Sequence, residues 1–170
     1  MINTDVSQDQ ELRAHQDHHS SLRLWLRLLS CTTLVEDKVR QKLREQFDTS
    51  LPRFDLMAQL ERHRDGLMMS ELSRRMMVSG GNITAIVDQL EKEQLVQRVV
   101  VPRDRRSFKV VLTPSGRTSF VQMAQAHERW VVELFSGITG EQQAQLFSLL
   151  GHLKTGIRQH YVTSVCLDQS

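Results

Sequence analysis

The sequence predicts an all-α fold carrying one small β-hairpin, and three observations lead there. Apolar residues recur at helical spacing along most of the chain, and the period turns extended over one stretch near residues 96–112. Ser, Pro and Gly stand where helices would start and stop. A content of 39% apolar and 25% charged residues over 170 positions, with eight Gly and three Pro, suits one folded domain or two small lobes sharing a core. No internal repeat and no low-complexity tract points to a solenoid.

The first helix is expected over residues 20–47. Leu22, Trp25, Leu26 and Leu29 open an apolar stripe that runs on through Val35, Val39 and Leu43, with Ser20 or Ser21 as its cap. Pro52 fits the first turn of a second helix because its missing N–H is an orphan there; Phe54, Met57 and Leu60 follow, and Asp65-Gly66 breaks it. A short third helix is expected to open at a Ser70 cap, with Leu72 and Met76 turned inward. After the turn Val78-Ser79-Gly80-Gly81, Ile83, Val87 and Leu90 mark the apolar face of a fourth helix ending near Gln94.

β-Branched runs at Val96–Val101 and Phe108–Leu112 flank a polar tip, Pro102 to Ser107, which makes a hairpin with a charged loop. Thr113-Pro114 then caps and opens a fifth helix whose expected buried stripe is Phe120, Met123, His127, Trp130, Val131 and Leu134, ended by Gly137. Thr139 and Gln142 stand in capping-box spacing before a sixth helix with Leu146, Leu149, Leu150, Leu153 and Ile157. Helices two to four plus the hairpin, residues 50–112, have the dimensions of a winged helix-turn-helix. The stripes of helices one, five and six then need one another or a second copy. A helical dimerisation region is therefore expected from residues 18–48 and 113–163, with 1–17 as a polar tail.

Charge narrows the function. The net charge is +2, but Arg98, Arg103, Arg105, Arg106, Lys109 and Arg117 face one acid, Asp104, so this segment carries +5 and the remainder −3. A basic patch on a slightly acidic body is what a phosphate backbone selects. Cys31 and Cys166, far apart, are read as small buried hydrophobes rather than a disulfide or a zinc pair. Met76–Val87, the longest charge-free stretch near the middle, is too short and polar to span a bilayer. The first residues carry Asp5, Asp9 and Glu11 where a secretion signal needs a basic start, so a cytoplasmic location is expected. His127-Glu128 lacks the second His of a zinc-protease helix, and neither a nucleotide loop nor a nucleophile elbow occurs; no enzyme and no cofactor are expected.

Asp104-Arg105-Arg106-Ser107-Phe108-Lys109-Val110-Val111-Leu112-Thr113-Pro114-Ser115-Gly116 matches D-x-R-x-x-x-V-x-L-T-x-x-G, the wing signature of the MarR family of transcriptional regulators. Ser70-Glu71-Leu72-Ser73, Ser79-Gly80-Gly81-Asn82-Ile83-Thr84 and Val87-Asp88-Gln89-Leu90-Glu91 resemble that family's helix-turn-helix, and the resemblance extends over residues 20–160. It implies a homodimer on a pseudo-palindromic double-stranded DNA operator, usually a repressor, released by a small molecule, often an aromatic acid. The stretches Leu22 to Leu29 and Leu51 to Met57 look like the subgroup that controls aromatic acid breakdown, with benzoate-, hydroxycinnamate- or nicotinate-type effectors, some as CoA thioesters.

The residues support DNA contact on their own terms. Asn82, Thr84, Ala85 and Asp88 or Gln89 lie opposite the apolar face of helix four and would meet base edges in a major groove. Ser79 with the Gly80 and Gly81 amides suits a phosphate, Asp104 and Arg106 are able to pair within the wing, and Arg103 and Arg105 are then left for a narrow minor groove. Between Ser79 and Glu91 there is no Lys or Arg, so backbone affinity must come from Arg74, Arg75, Lys92 and the wing, including Lys109; Ser70 completes the expected contacts. For the effector, Trp25 offers a ring face and Arg23 or Arg27 a carboxylate partner, with His19 beside them; the alternative is a core Trp25 and surface arginines. His15, His18 and His19 have i, i+3, i+4 spacing, which gives a zinc-responsive alternative, or simply a polar tail.

Overall fold

The computed structural model describes residues 20–101 and 104–167, with side chains placed for 20–101 and 108–159. The described elements run α1 (Ser20–Phe47), α2 (Leu51–Arg62), β1 (Leu67–Met68), α3 (Met69–Met76), α4 (Gly80–Lys92), β2 (Val96–Val101), β3 (Asp104–Leu112), α5 (Pro114–Leu134) and α6 (Gly140–Leu167). The fold is mostly helical with one small antiparallel sheet of order β1-β3-β2. The chain divides into two compact units between Arg129 and Trp130, inside α5.

The core of the first unit lies where α2, α4 and the sheet converge. Leu56, Ile83, Val87, Leu90, Leu72 and Val110 are fully buried there, along with Val39 and Leu43 of α1 and Met123 and Ala126 of α5. Each such side chain is worth about 1.5–3 kcal/mol of apolar transfer, so the i, i+4, i+7 triplet of α4 is enough to fix that helix's roll and leave its other face to solvent.

In the sheet, Leu67 and Arg98 both stand opposite Val110, and Val96 stands opposite Leu112; these residues share the core face. Lys109, opposite both Met68 and Val99, is on the outer face. The two-residue β1 has no periodicity and is invisible in the sequence. It exists because Gly66, at φ 81°, turns the chain tightly onto β3: a Cβ there would lie 2.7 Å from Val111 Cγ1 and 2.9 Å from the Val110 carbonyl.

Five sequence expectations need correction. Ser70 is not the cap of α3; the helix starts one residue before it, with Met68 as N-cap, and the Met68 N–H donates to the Glu71 carboxylate at 2.8 Å. The hairpin tip is shorter than residues 102–107, since β3 begins at Asp104, and the pairing shifts register between Val100 and Val101 to accommodate it. Trp25 is not core: it is 57% exposed, as are Leu22 and Leu29 at nearly half, and α1 buries just Val39 and Leu43 at its far end. The stripe of α6 is likewise open to solvent, from Leu146 through Ile157. Cys31 is exposed, not buried. In each apolar case the period is helical as read, but among the described residues the stripe stays exposed.

Thr113 and Gly116, the last fixed letters of the wing signature, gain a physical meaning. Thr113 Oγ1 donates to the Gln94 carbonyl at 2.7 Å and accepts from the Gly116 N–H at 2.9 Å, while the Thr113 N–H donates to Leu95 O at 3.1 Å. One side chain thereby caps α5 and pins its start to the turn after α4. Gly116 faces that turn so closely that a Cβ would lie 1.8 Å from the Leu95 carbonyl oxygen. Gly116→Ala is expected to destabilise the protein by about 2 kcal/mol or more, measured by urea denaturation, because backbone rather than a flexible side chain must give way.

Candidate nucleic-acid interface

The turn between α3 and α4 is set by Met77, in a left-handed conformation at φ 54°, whose N–H donates to the Ser73 carbonyl. Ser73 Oγ closes the same turn by donating to Val78 O at 2.6 Å. Ser79 then caps α4 and accepts the Asn82 N–H at 3.4 Å, a long bond. With Ile83, Val87 and Leu90 buried, Gly80, Gly81, Asn82, Thr84, Ala85, Asp88, Gln89 and Lys92 form the exposed face. Thr84 Oγ1 donates its hydrogen to the Gly80 carbonyl at 3.0 Å, so this side chain presents lone pairs and a methyl group outward.

Ser70, Arg74 and Arg75 of α3 are exposed, and so is Lys92 at the end of α4. Arg103, the side chains of Asp104, Arg105 and Arg106, and the residues His15, His18, His19 and Cys166 as candidate ligands or thiols lie outside the described residues or side chains. Lys109 is half-buried on the outer face of the hairpin.

Two of the six basic residues counted at the hairpin are committed inside the protein. Arg117 holds Glu61 of α2 at 2.9 Å, and Arg98 pairs with both Asp88 and Glu91 of α4. The local +5 therefore overstates the positive charge available to an outside partner. Asp88, expected as a possible base contact, is tied to Arg98 instead. Arg98 itself was missed, although its position two residues from Val96 and from Val100 puts it on the core side of a strand, where a charge has to be paired. Arg53 of α2 similarly pairs with Glu93, the cap residue that ends α4.

Two hollows border these elements. A hollow of about 290 Å³ is lined by Ser20, Arg23, Leu24 and Arg27. Arg23 and Arg27 line it together, and Trp25 is off this face because each residue turns the helix by about 100°. The larger hollow, about 500 Å³, lies among α2, the end of α3 and the first part of α5, with Phe54, Asp55, Arg62, Arg75, Phe120 and His127 in its lining. Phe120 and His127, expected in the buried stripe of α5, are half-buried here and form part of the hollow's wall. Phe54 stacks on Phe120 at 5.6 Å and tilts against His127 at 5.0 Å. Among the described residues no group of three or more His, Cys, Asp or Glu side chains is placed to hold a metal. No helix among them is long and apolar enough to cross a membrane.

Burial raises the Asp55 carboxyl above its ordinary 3.8 against the opposing His127, Arg40 and Arg62 charges, and burial lowers His127 below its ordinary 6.5 against the attraction of Asp55. The signs differ. The folded protein resists protonating His127, so stability is lost as pH falls below 6.5; Asp55 contributes stability at low pH that is lost as pH rises through its raised value. His127→Phe, which keeps a ring against Phe54, is expected to flatten the fall in melting temperature between about pH 7 and 5. An unchanged slope in calorimetry would rule His127 out as its source.

Comparison with known proteins agrees with this architecture. The family model described as MarR matches residues 49–108. A MarR family transcriptional regulator from Silicibacter pomeroyi superposes with a TM-score of 0.69 at 32% identity, covering 81% of this chain and 94% of that one. Sco3205 from Streptomyces coelicolor, a MarR family regulator solved in complex with DNA, gives 0.67 at 25% identity over 78% and 84% of the two chains. The HTH-type transcriptional regulator PecS of Dickeya dadantii is 25% identical over 128 residues, 74% of this chain and 77% of its own length. With a buried-faced helix exposing Asn82, Thr84, Ala85 and Gln89 beside a two-stranded wing, and with the 32%-identical Silicibacter pomeroyi regulator covered over 94% of its own length, the chain belongs to the MarR family of transcriptional regulators.

Proposed function

We propose that this regulator acts as a homodimeric repressor on a pseudo-palindromic DNA operator and leaves it on binding a small aromatic acid or its CoA thioester. The observation that carries DNA binding is the exposed face of α4: short polar side chains at Asn82, Thr84 and Gln89 and a methyl at Ala85, flanked by Arg74 and Arg75. In this reading phosphates are met by the Gly80 and Gly81 amides at the helix start, by Ser70 and Lys109, and by Arg103, Arg105 and Arg106, with Asp104 beside them in the sequence. A chain with no basic residue on its reading helix draws its backbone affinity from the flanks, which makes binding steeply salt-dependent.

The dimer is supported by unpartnered apolar surface. Leu22, Trp25 and Leu29 of α1 are all more than a third exposed, and in the second unit so are Leu146, Leu149, Leu150, Leu153 and Ile157 of α6; each helix by itself presents an apolar stripe of the kind that marks an interaction surface. A second copy sets two α4 helices on successive major grooves about 34 Å apart. For the effector, the hollow among α2, α3 and α5 suits an aromatic acid better than the Arg23–Arg27 hollow. It combines two stacked phenyl rings with the cations of Arg62 and Arg75. Arg75 lies in the last turn of α3, so a ligand drawn to it acts on the element that leads into α4. By linkage, DNA then weakens the effector to the same degree.

Light scattering at micromolar concentration is expected to give twice the chain mass. A duplex from the chain's own upstream region should bind at low ionic strength, and Arg105→Ala should weaken binding and lower the salt slope by about one. A stable monomer indifferent to that duplex would end the proposal. Benzoate, hydroxycinnamate or nicotinate probes are expected to release the duplex from the natural protein, and Arg62→Ala to raise the concentration needed by about tenfold with duplex affinity unchanged.

A further inference from the structure

Resting on the DNA-binding reading above, we propose that Arg98 is a positioning residue for that binding: it locks the wing to the recognition helix and cancels the carboxylates that helix carries. The first strand of the wing has one charged residue on its core face, and it is this one. The guanidinium pairs through one nitrogen with Asp88 and through the other with Glu91, one turn apart on α4. The Arg98 N–H also donates to Glu91 Oε1 at 3.2 Å, so both the backbone and the side chain of this strand position are fastened to α4. From the other side the guanidinium lies over the ring of Phe108 on β3, 5.3 Å from its centroid. A single side chain thus joins the recognition helix to both strands of the hairpin, at the seam that sets the angle between groove-reading helix and wing.

The charges matter as much as the geometry. Asp88 is 58% exposed, one turn beyond Thr84 and Ala85 on the same side of α4. A bare carboxylate there would repel the phosphates on either side of a groove. Arg98, three-quarters buried, is spent on that neutralisation and is not offered to DNA as a phosphate contact.

The test measures binding of the full-length protein to a mixed-sequence duplex of about 30 base pairs over a range of salt. Arg98→Gln is expected to lower affinity about tenfold at low salt, the loss shrinking as added salt screens the uncovered carboxylates. Adding Asp88→Asn to Arg98→Gln is expected to recover at least half of that loss on a logarithmic scale, and Arg98→Lys to stay within about threefold of the natural protein. A slope that stays reduced by about one in that double variant would make Arg98 a direct phosphate ligand and overturn the proposal. So would a double variant no better than the single one, or an Arg98→Gln protein that binds normally. Should Arg98→Gln melt below the assay temperature, Arg98→Lys decides alone: a loss beyond about tenfold refutes the neutralising role. Failure of the natural protein to bind any duplex would instead refute the DNA-binding reading.

Discussion

The carbonyls of Gln94 and Leu95 are the point on which the rest of the architecture depends. Gln94 sits at φ 60°, where the chain leaves α4 and reverses into the hairpin, and both carbonyls are taken up by Thr113 at the hairpin's far end. Ser115 Oγ donates to the Gln94 carbonyl as well, at 2.9 Å. The end of the reading helix, the two feet of the wing and the first turn of α5 are therefore one hydrogen-bonded knot, and it closes because position 116 has no side chain to keep the backbones apart. Any movement of α5 is transmitted to the wing's feet through a few short bonds rather than through a flexible linker.

Around that knot, charge is used first for internal alignment. Arg53 with Glu93, Arg117 with Glu61 and Arg98 with Asp88 and Glu91 connect α2, α4, α5 and the hairpin in pairs. Exposed pairs of this kind add little stability. Partly buried ones between different elements fix orientation, and α2, which contributes Arg53 near one end and Glu61 near the other, serves as a strut between the reading helix and α5. Its residue between them, Asp55, faces His127 in the aromatic hollow, so that hollow is built into the strut itself.

Element order and type were legible in the sequence because α4, α5, α6 and the hairpin each announce themselves by period and punctuation: Thr139 and Gln142 form the reciprocal cap their spacing implied, at 2.8 and 3.2 Å. The wing signature was legible too, but as a pattern of letters; that its Thr and Gly are a clasp on Leu95 emerges from tertiary contact alone. Three things escaped. β1 is two residues long and owes its existence to a neighbour, β3. The start of α3 offered Ser70 as a better capping letter than Met68, yet the pairing of Leu67 with Val110 fixes where the strand must stop and hence where the helix begins. The hollow among α2, α3 and α5 is assembled from positions more than 70 residues apart, Phe54 and His127, which each look like ordinary core residues along their own helix.

The naked leucine ridge of α6 has one more implication. Phe147 is 82% exposed and Leu149 65%, on a helix whose described residues from Glu141 to Thr155 are all open to water. A segment this apolar, left bare, attracts unfolded chains or degradation machinery. Under the proposed dimer, where a second copy supplies the cover, that cover governs survival as well as shape, and the amount of working regulator rises more steeply than the rate at which the polypeptide is made.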